Sequence, residues 1–288
     1  MTPDPLVRHK VTVTGKPDAA RTIVFINGIG TDQLVWRHVT PAFAAEYRIV
    51  TFDHVGSVPS NFADFRGNQV RYLNAKGYAL DLLDICTALN LPDDTLLVGH
   101  SLGAVTAMLA AARQPGRFGQ LILIGASPRY LDADDYTGGF TSRDIEKVYE
   151  ALRLNYRSWA EAFAAHAMGA AHGQPTDRMA DALVSVPEDM MLTTLCAVLQ
   201  GDHRSMLSQL KLPTLIVQSR VDYFVPLAVA EYLQRQIAGS ELAVIDAEGH
   251  LPHISAPDAL IAVMQRFMAA HGCPPATPPG AGAPGEAA

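Results

Sequence analysis

Ser101 stands between two glycines in G-H-S-L-G, residues 99–103, at the point where an apolar run meets a helix-forming one. Leu97 and Val98 close the first run, and from Leu102 to Ala112 the residues are small or apolar, stopping before Pro115 and Gly116. A serine on a sharp strand-to-helix turn projects its hydroxyl above the carboxyl end of a sheet. The N–H at the helix start, that of Leu102, is then free to donate to an oxyanion. Side chains at positions 99 and 103 would collide with the strand end and the helix start, which accounts for Gly99 and Gly103. The alternative is an ordinary helix cap, but a setting between a buried strand and a helix favours a nucleophile.

A serine hydroxyl needs a base at neutral pH. Of the histidines after Ser101, His250 lies in "VIDAEGHLPH", directly after the last strand pattern, where an imidazole can reach over the sheet. His253 reads as a loop or packing residue. His166, His172 and His203 fall in a helical stretch, and His271 at a helix end. For the acid that orients the base, Asp222 follows the strand pattern "TLIVQSR" and precedes Pro226, which opens a helix. Asp132, Asp134 and Asp135 are the alternative, but their clustering suggests a solvated face. Asp246 reads as a strand-end residue.

The second oxyanion donor is expected in "NGIGTDQLVW", where Gly28 and Gly30 leave the backbone free to turn inward and Ile29 supplies the N–H. The same G-x-G, with Asp53 ending the next strand, imitates a dinucleotide fingerprint. Gln33 replaces its third glycine and the element is not the first strand, so no cofactor is expected. His250 and His253 have no acid or cysteine at ligand spacing, so no metal is expected either.

The elements that must position these groups are legible as seven β-rich runs, at 9–15, 21–28, 47–53, 95–100, 120–127, 214–220 and 241–246. The middle ones are continuous Val/Ile/Leu, the pattern of strands buried on both faces of a parallel sheet. Helical patterns alternate with them, among them "GYALDLLDICTALN", "PLAVAEYLQRQIAG" and "PDALIAVMQRFMAAHG". The expectation is a doubly wound, mostly parallel α/β sheet. The stretch from Ser127 to Pro213 has no strand signal and four helical patterns, far longer than an ordinary connection of roughly 2–6 residues. It reads as a four-helix cap inserted at 129–210 between two parts of the core, 1–128 and 211–271. Residues 272–288, rich in Pro, Gly and Ala, read as a disordered tail.

The 288 residues are 49% apolar and 18% charged, enough for a sizeable core. A net charge of −7 without a basic run argues against a nucleic-acid partner. The three cysteines are far apart and form no disulfide or zinc pattern. No apolar run approaches the ~18 residues of a membrane span, and "MTPDPLVRHK" lacks a signal peptide's apolar core. The expected location is the cytoplasm.

Six stretches, "GTDQLVWRHVTPAF", "VGHSLGA", "SPRYLDADDYTGGF", "LNYRSWAEAFA", "QSRVDYFVP" and "GHLPHISAPD", are similar to one branch of the α/β-hydrolase superfamily. That branch holds the bacterial sigma-B regulator hydrolase and the plant karrikin and strigolactone receptors; the resemblance runs from about His9 to Met268. It implies an α/β-hydrolase fold, a Ser101–Asp222–His250 triad, and a cap over an apolar pocket at Tyr130, Phe140, Trp159, Phe163 and Leu199. Asn27 stands where many hydrolases carry histidine, and Ile29 where the plant receptors carry phenylalanine. The expected function is a serine hydrolase acting on a small, largely apolar ester or lactone. Its alternative is a signalling hydrolase that acts on a protein partner of the PAS-phosphatase type.

Overall fold

The computed structural model describes residues 4–169 and 173–272. All seven expected strands form: β1 (Thr12–Gly15), β2 (Thr22–Ile26), β3 (Arg48–Thr51), β4 (Leu96–His100), β5 (Gln120–Ile124), β6 (Thr214–Val221) and β7 (Glu241–Glu248). They make one sheet in the order β1-β3-β2-β4-β5-β6-β7, with β1 antiparallel to β3 and every other pair parallel. Every residue of β2, β4 and β5 is buried, whereas β1, on the edge, is mostly exposed. The continuous apolar runs therefore sit in the centre of the sheet, as burial on both faces demands.

The first strand is shorter than its apolar run suggests. Helix α1 (Pro5–Arg8) occupies the preceding residues, started by Pro5 and by Asp4, whose carboxylate accepts the Leu6 N–H at 2.9 Å. His9 caps this helix and Lys10 turns the chain at φ +46°, so the strand begins only at Thr12. Helices α2 (Phe62–Gly67) and α3 (Lys76–Ala88) follow β3, and α4 (Leu102–Arg113) follows β4.

Between β5 and β6 come α5 (Ser142–Leu154), α6 (Tyr156–Met168), α7 (Gly173–Ser185) and α8 (Glu188–Leu199). Beyond two isolated bridges, the described residues there contain no strand. Thr141 and Asp144 form a reciprocal cap at the start of α5, and Asn155 accepts the Ser158 N–H at 3.0 Å at the start of α6. α6 packs along α5 and α7, and α5 against α8. Their buried residues, such as Leu152, Ala160 and Leu183, belong to the same apolar cluster as the sheet. Helix α9 (Leu227–Gln236) follows β6, and α10 (Pro252–Ser255) and α11 (Pro257–Ala270) follow β7. The tail expected at 272–288 lies, from Cys273 on, outside the described residues. No single described helix is long and apolar enough to cross a membrane.

The strand order fixes where a site can lie. The chain leaves β2 for β3 on one side and leaves β4 for β5 on the other. Right-handed crossovers then carry the two connections to opposite faces, and the loops part above the carboxyl ends of β2 and β4. Asn27–Gly28–Ile29 lies at one lip of that crevice and Ser101 at the other.

Candidate active site

Ser101 follows β4 with φ +54° and ψ −117°, a conformation that strains any side-chain-bearing residue. Its N–H donates to Ile124 O of β5 at 3.0 Å, which anchors the turn to the neighbouring strand. A Cβ on Gly103 would lie 2.1 Å from Ile26 O, and one on Gly99 2.4 Å from Gly103 O, so the turn closes only with glycine at both positions. A Cβ on Gly28 would meet His100 Nδ1 at 2.8 Å and Ser101 Cβ at 3.0 Å, which brings the loop after β2 against the serine. Leu102 is the first residue of α4, so its N–H has no carbonyl one turn back. Neither it nor the Ile29 N–H has an acceptor among the described residues.

Asp222 follows β6 and His250 follows β7, and the structure brings their side chains together, His250 Nδ1 to Asp222 Oδ2 at 2.8 Å. Gln218 Nε2 donates to the same oxygen at 3.2 Å, and the N–H groups of Phe224 and Val225 donate to Oδ1 at 2.9 and 3.1 Å. Burial alone would push this carboxyl up. The charge and hydrogen bond of His250 and the two N–H donors outweigh it and hold the carboxyl below its ordinary value. The His250 main chain is held from both sides: its N–H donates to Ala167 O at the end of α6 (2.7 Å), and its C=O accepts from His100 Nε2 (2.7 Å). Gly249, at φ +90°, admits that approach, since a Cβ there would sit 2.7 Å from Met168 O.

The competing residues are occupied elsewhere. His253 is fully buried between Trp36 and His100, with ring centroids 4.8 and 4.5 Å away, and burial pushes it down to about 3, so it is a neutral packing residue. His166 bonds its own helix at Ala162 O (2.7 Å) and stacks on Tyr223, and His172 lies outside the described residues. Asp132 accepts the N–H groups of Gly138 and Gly139 at 2.8 and 3.0 Å. Asp246 pairs with Arg220 at 3.0 Å. Asp53 accepts the Gln33 N–H at 2.9 Å, so the acidic residue of the imitation fingerprint is engaged inside the loop. Among the described residues no group of three or more His, Cys, Asp or Glu is placed to hold a metal ion.

Ser101 and His250 share one small chamber of about 30 Å³. Tyr130, Phe163 and Leu199 line it, and the Tyr130 side chain interacts with that of Ser101. Ile29 is in its wall as well. Phe140 and Trp159 do not reach it; they line an adjoining cavity of about 530 Å³ between α5, α6, α8 and the Asp222 loop. The sequence reading missed His100, Met179, Leu195, Val198, Phe224 and Leu251, which complete the inner wall. His100, Phe224 and Leu251 carried a signal, their places in the chain next to or near Ser101, Asp222 and His250.

A doubly wound sheet with a strained serine turn at its switch point and an Asp–His pair on the loops after β6 and β7 defines a serine hydrolase of the α/β class. The chain belongs to the alpha/beta hydrolase family, which it matches over residues 23–263. It is similar to a probable esterase of Oryza sativa subsp. japonica, at 38% identity over 90% of this chain and 95% of the relative. It is also similar to "Karrikin insensitive 2 receptor IA" of Petunia hybrida, at 36% identity over 91% and 95%. Among solved structures, a hydrolase from Oleispira antarctica superposes with a TM-score of 0.87 and 29% identity, covering 92% of this chain and 96% of that one.

Proposed function

We infer that the protein is a serine esterase that cleaves a small, largely apolar ester or lactone through Ser101, His250 and Asp222. The observation that carries this reading is the 2.8 Å contact from Asp222 to His250 Nδ1, on a residue that shares the Ser101 chamber. Asp222 fixes the tautomer with the proton on Nδ1 and leaves Nε2 to take the Ser101 proton. The serine oxygen attacks the carbonyl carbon, and the N–H groups of Ile29 and Leu102 bind the oxyanion. His250 passes the proton to the departing alcohol, then activates the water that releases the acid. Residues 129–210 act as the cap, which excludes water and selects the acyl and alcohol groups by apolar contact.

A small fluorophosphonate should label Ser101, and Ser101→Ala should remove both the labelling and the hydrolysis of short aryl esters. Labelling at another residue, or full activity in Ser101→Ala, would overturn the reading.

One observation favours a second role. The N–H of His250 donates to Ala167 on α6, so base and cap are physically joined. In that reading, occupancy of the site changes the cap and a protein partner of the PAS-phosphatase type responds. Near-stoichiometric product from a panel of short esters and butenolides would support it; many turnovers per second would support the metabolic esterase.

A further inference from the structure

The geometry points to Phe224 as the residue that decides which esters are accepted, by dividing the site into an inner acyl compartment and an outer alcohol compartment. This rests on the serine-esterase reading above.

The inner chamber of about 30 Å³ and the outer cavity of about 530 Å³ have four wall residues in common: Phe163, Leu195, Leu199 and Phe224. Leu195 and Leu199 are buried on α8 and belong to the apolar core. The two phenylalanines are half-buried, and their rings meet at 4.7 Å with a 33° tilt. Phe224 also sets its edge against the His250 ring at 5.3 Å. Its backbone is fixed by the N–H to Asp222 Oδ1, but its side chain is held only by packing. A rotation about χ1 of Phe224 would join the two spaces.

The chemistry decides which half of the substrate goes where. The alcohol oxygen must receive its proton from His250, so the alcohol lies on the His250 side of the carbonyl carbon. That is the side of Phe224 and the outer cavity. The acyl group stays in the inner chamber, beside Ile29 and Tyr130. The inner chamber, about 30 Å³, is far smaller than the outer cavity and so favours a short acyl chain. The outer cavity is within the ordinary range for a small-molecule site. Its walls are apolar and aromatic, with Phe140, Val148 and Trp159 among them. Its two charged residues, Asp144 and Lys147, pair with each other at 3.5 Å. The matching alcohol is neutral and apolar, with the bulk of an aromatic ring system. In the step itself the serine–acyl bond forms and the acyl–alkoxy bond breaks. The proton that left Ser101 reaches the alcohol oxygen through His250, and the free alcohol leaves by the outer cavity.

The test measures kcat/KM on naphthyl esters from acetate to octanoate, and on methyl against naphthyl acetate, for the wild type, Phe224→Ala and Phe224→Leu. In the wild type, kcat/KM should fall tenfold or more for each methylene beyond propionate, within the 10–200-fold that an apolar pocket imposes. Naphthyl acetate should exceed methyl acetate. Phe224→Ala should raise the butyrate-to-acetate ratio at least tenfold, with Phe224→Leu in between; Phe224→Leu serves alone if the alanine variant fails to melt cooperatively. An unchanged ratio, with Ser101 still labelled by a small fluorophosphonate, overturns the division of the site and leaves the esterase reading standing. Loss of Ser101 labelling in the wild type overturns both.

Discussion

His100 Nε2 donates to the carbonyl oxygen of His250 at 2.7 Å, so the residue preceding Ser101 holds the main chain of His250. Burial, with help from His253 and His250, keeps His100 far below its ordinary value, and the ring is neutral. The proton on Nε2 leaves Nδ1 bare, on the side where Gly28 approaches. His100→Phe keeps the volume and removes the donor. It should lower the Ser101 phosphonylation rate about 100-fold, the scale of an ångström-sized misplacement of a reacting group, while His100→Gln should recover part of it. Equal rates in the phenylalanine variant and the wild type would show that the bond does not position His250.

Asp222→Asn keeps the two backbone N–H contacts to Oδ1 and takes the charge from the oxygen facing His250 Nδ1. The fold should survive, and kcat should fall by about 10⁴, the cost of the wrong tautomer in a triad of this kind. If Asp132→Asn had this effect instead, the acid would belong to the loop after β5.

Buried histidines, His100 among them, set an acid limit on stability. Burial lowers His9 and His54 to about 4 and His253 to about 3. Each is neutral in the folded chain, while in the unfolded chain it takes up a proton near pH 6.5. Their folded values are depressed, so their contribution is present above pH 6.5 and is lost as the pH falls towards 4. Each removes about 1.4 kcal/mol per pH unit inside that window. Urea unfolding at pH 7, 6 and 5 should show the loss. Replacing His253 by asparagine should reduce the slope near pH 5 by one proton; an unaltered slope would contradict its neutral burial.

The turn at Ser101 stores strain that glycine does not feel. Ser101→Gly should therefore be more stable than Ser101→Ala by about 1–3 kcal/mol, the usual cost of such a conformation. Gly103→Ala should be destabilised by about 3 kcal/mol or more, because its Cβ meets the backbone of β2 at 2.1 Å and cannot be accommodated by a side-chain shift. Denaturant midpoints of the three variants measure both effects.

The sheet was legible because burial on both faces leaves a run such as Ile23–Ile26 or Leu121–Ile124 without a polar residue. The pairing of Asp222 with His250 was legible because each follows a strand directly, and neighbouring parallel strands present their loops at the same edge. Phe140 and Trp159 are expected at the pocket because the family resemblance places pocket residues there. A matched position does not say which of two adjoining cavities the side chain lines. Phe224 and Met179 were missed for a related reason: each reaches the Ser101 chamber only through tertiary packing, one from the acid loop and one from α7.

The side of the site nearest the sheet is built from main chain. Gly28 lies against Ser101, and Gly103 against the carbonyls of Ile26 and Asn27, with no side chain between them. A wall of peptide groups offers nothing to exchange, so substitutions there damage the machine before they retune it. Any history of adaptation to a new ligand must therefore be inscribed in the side chains that face the chamber, in Ile29 and, on the opposite wall, in Phe163, Met179, Leu195 and Phe224. Two descendants of this chain with different tastes would share the same glycines beside Ser101 and differ in the side chains around them.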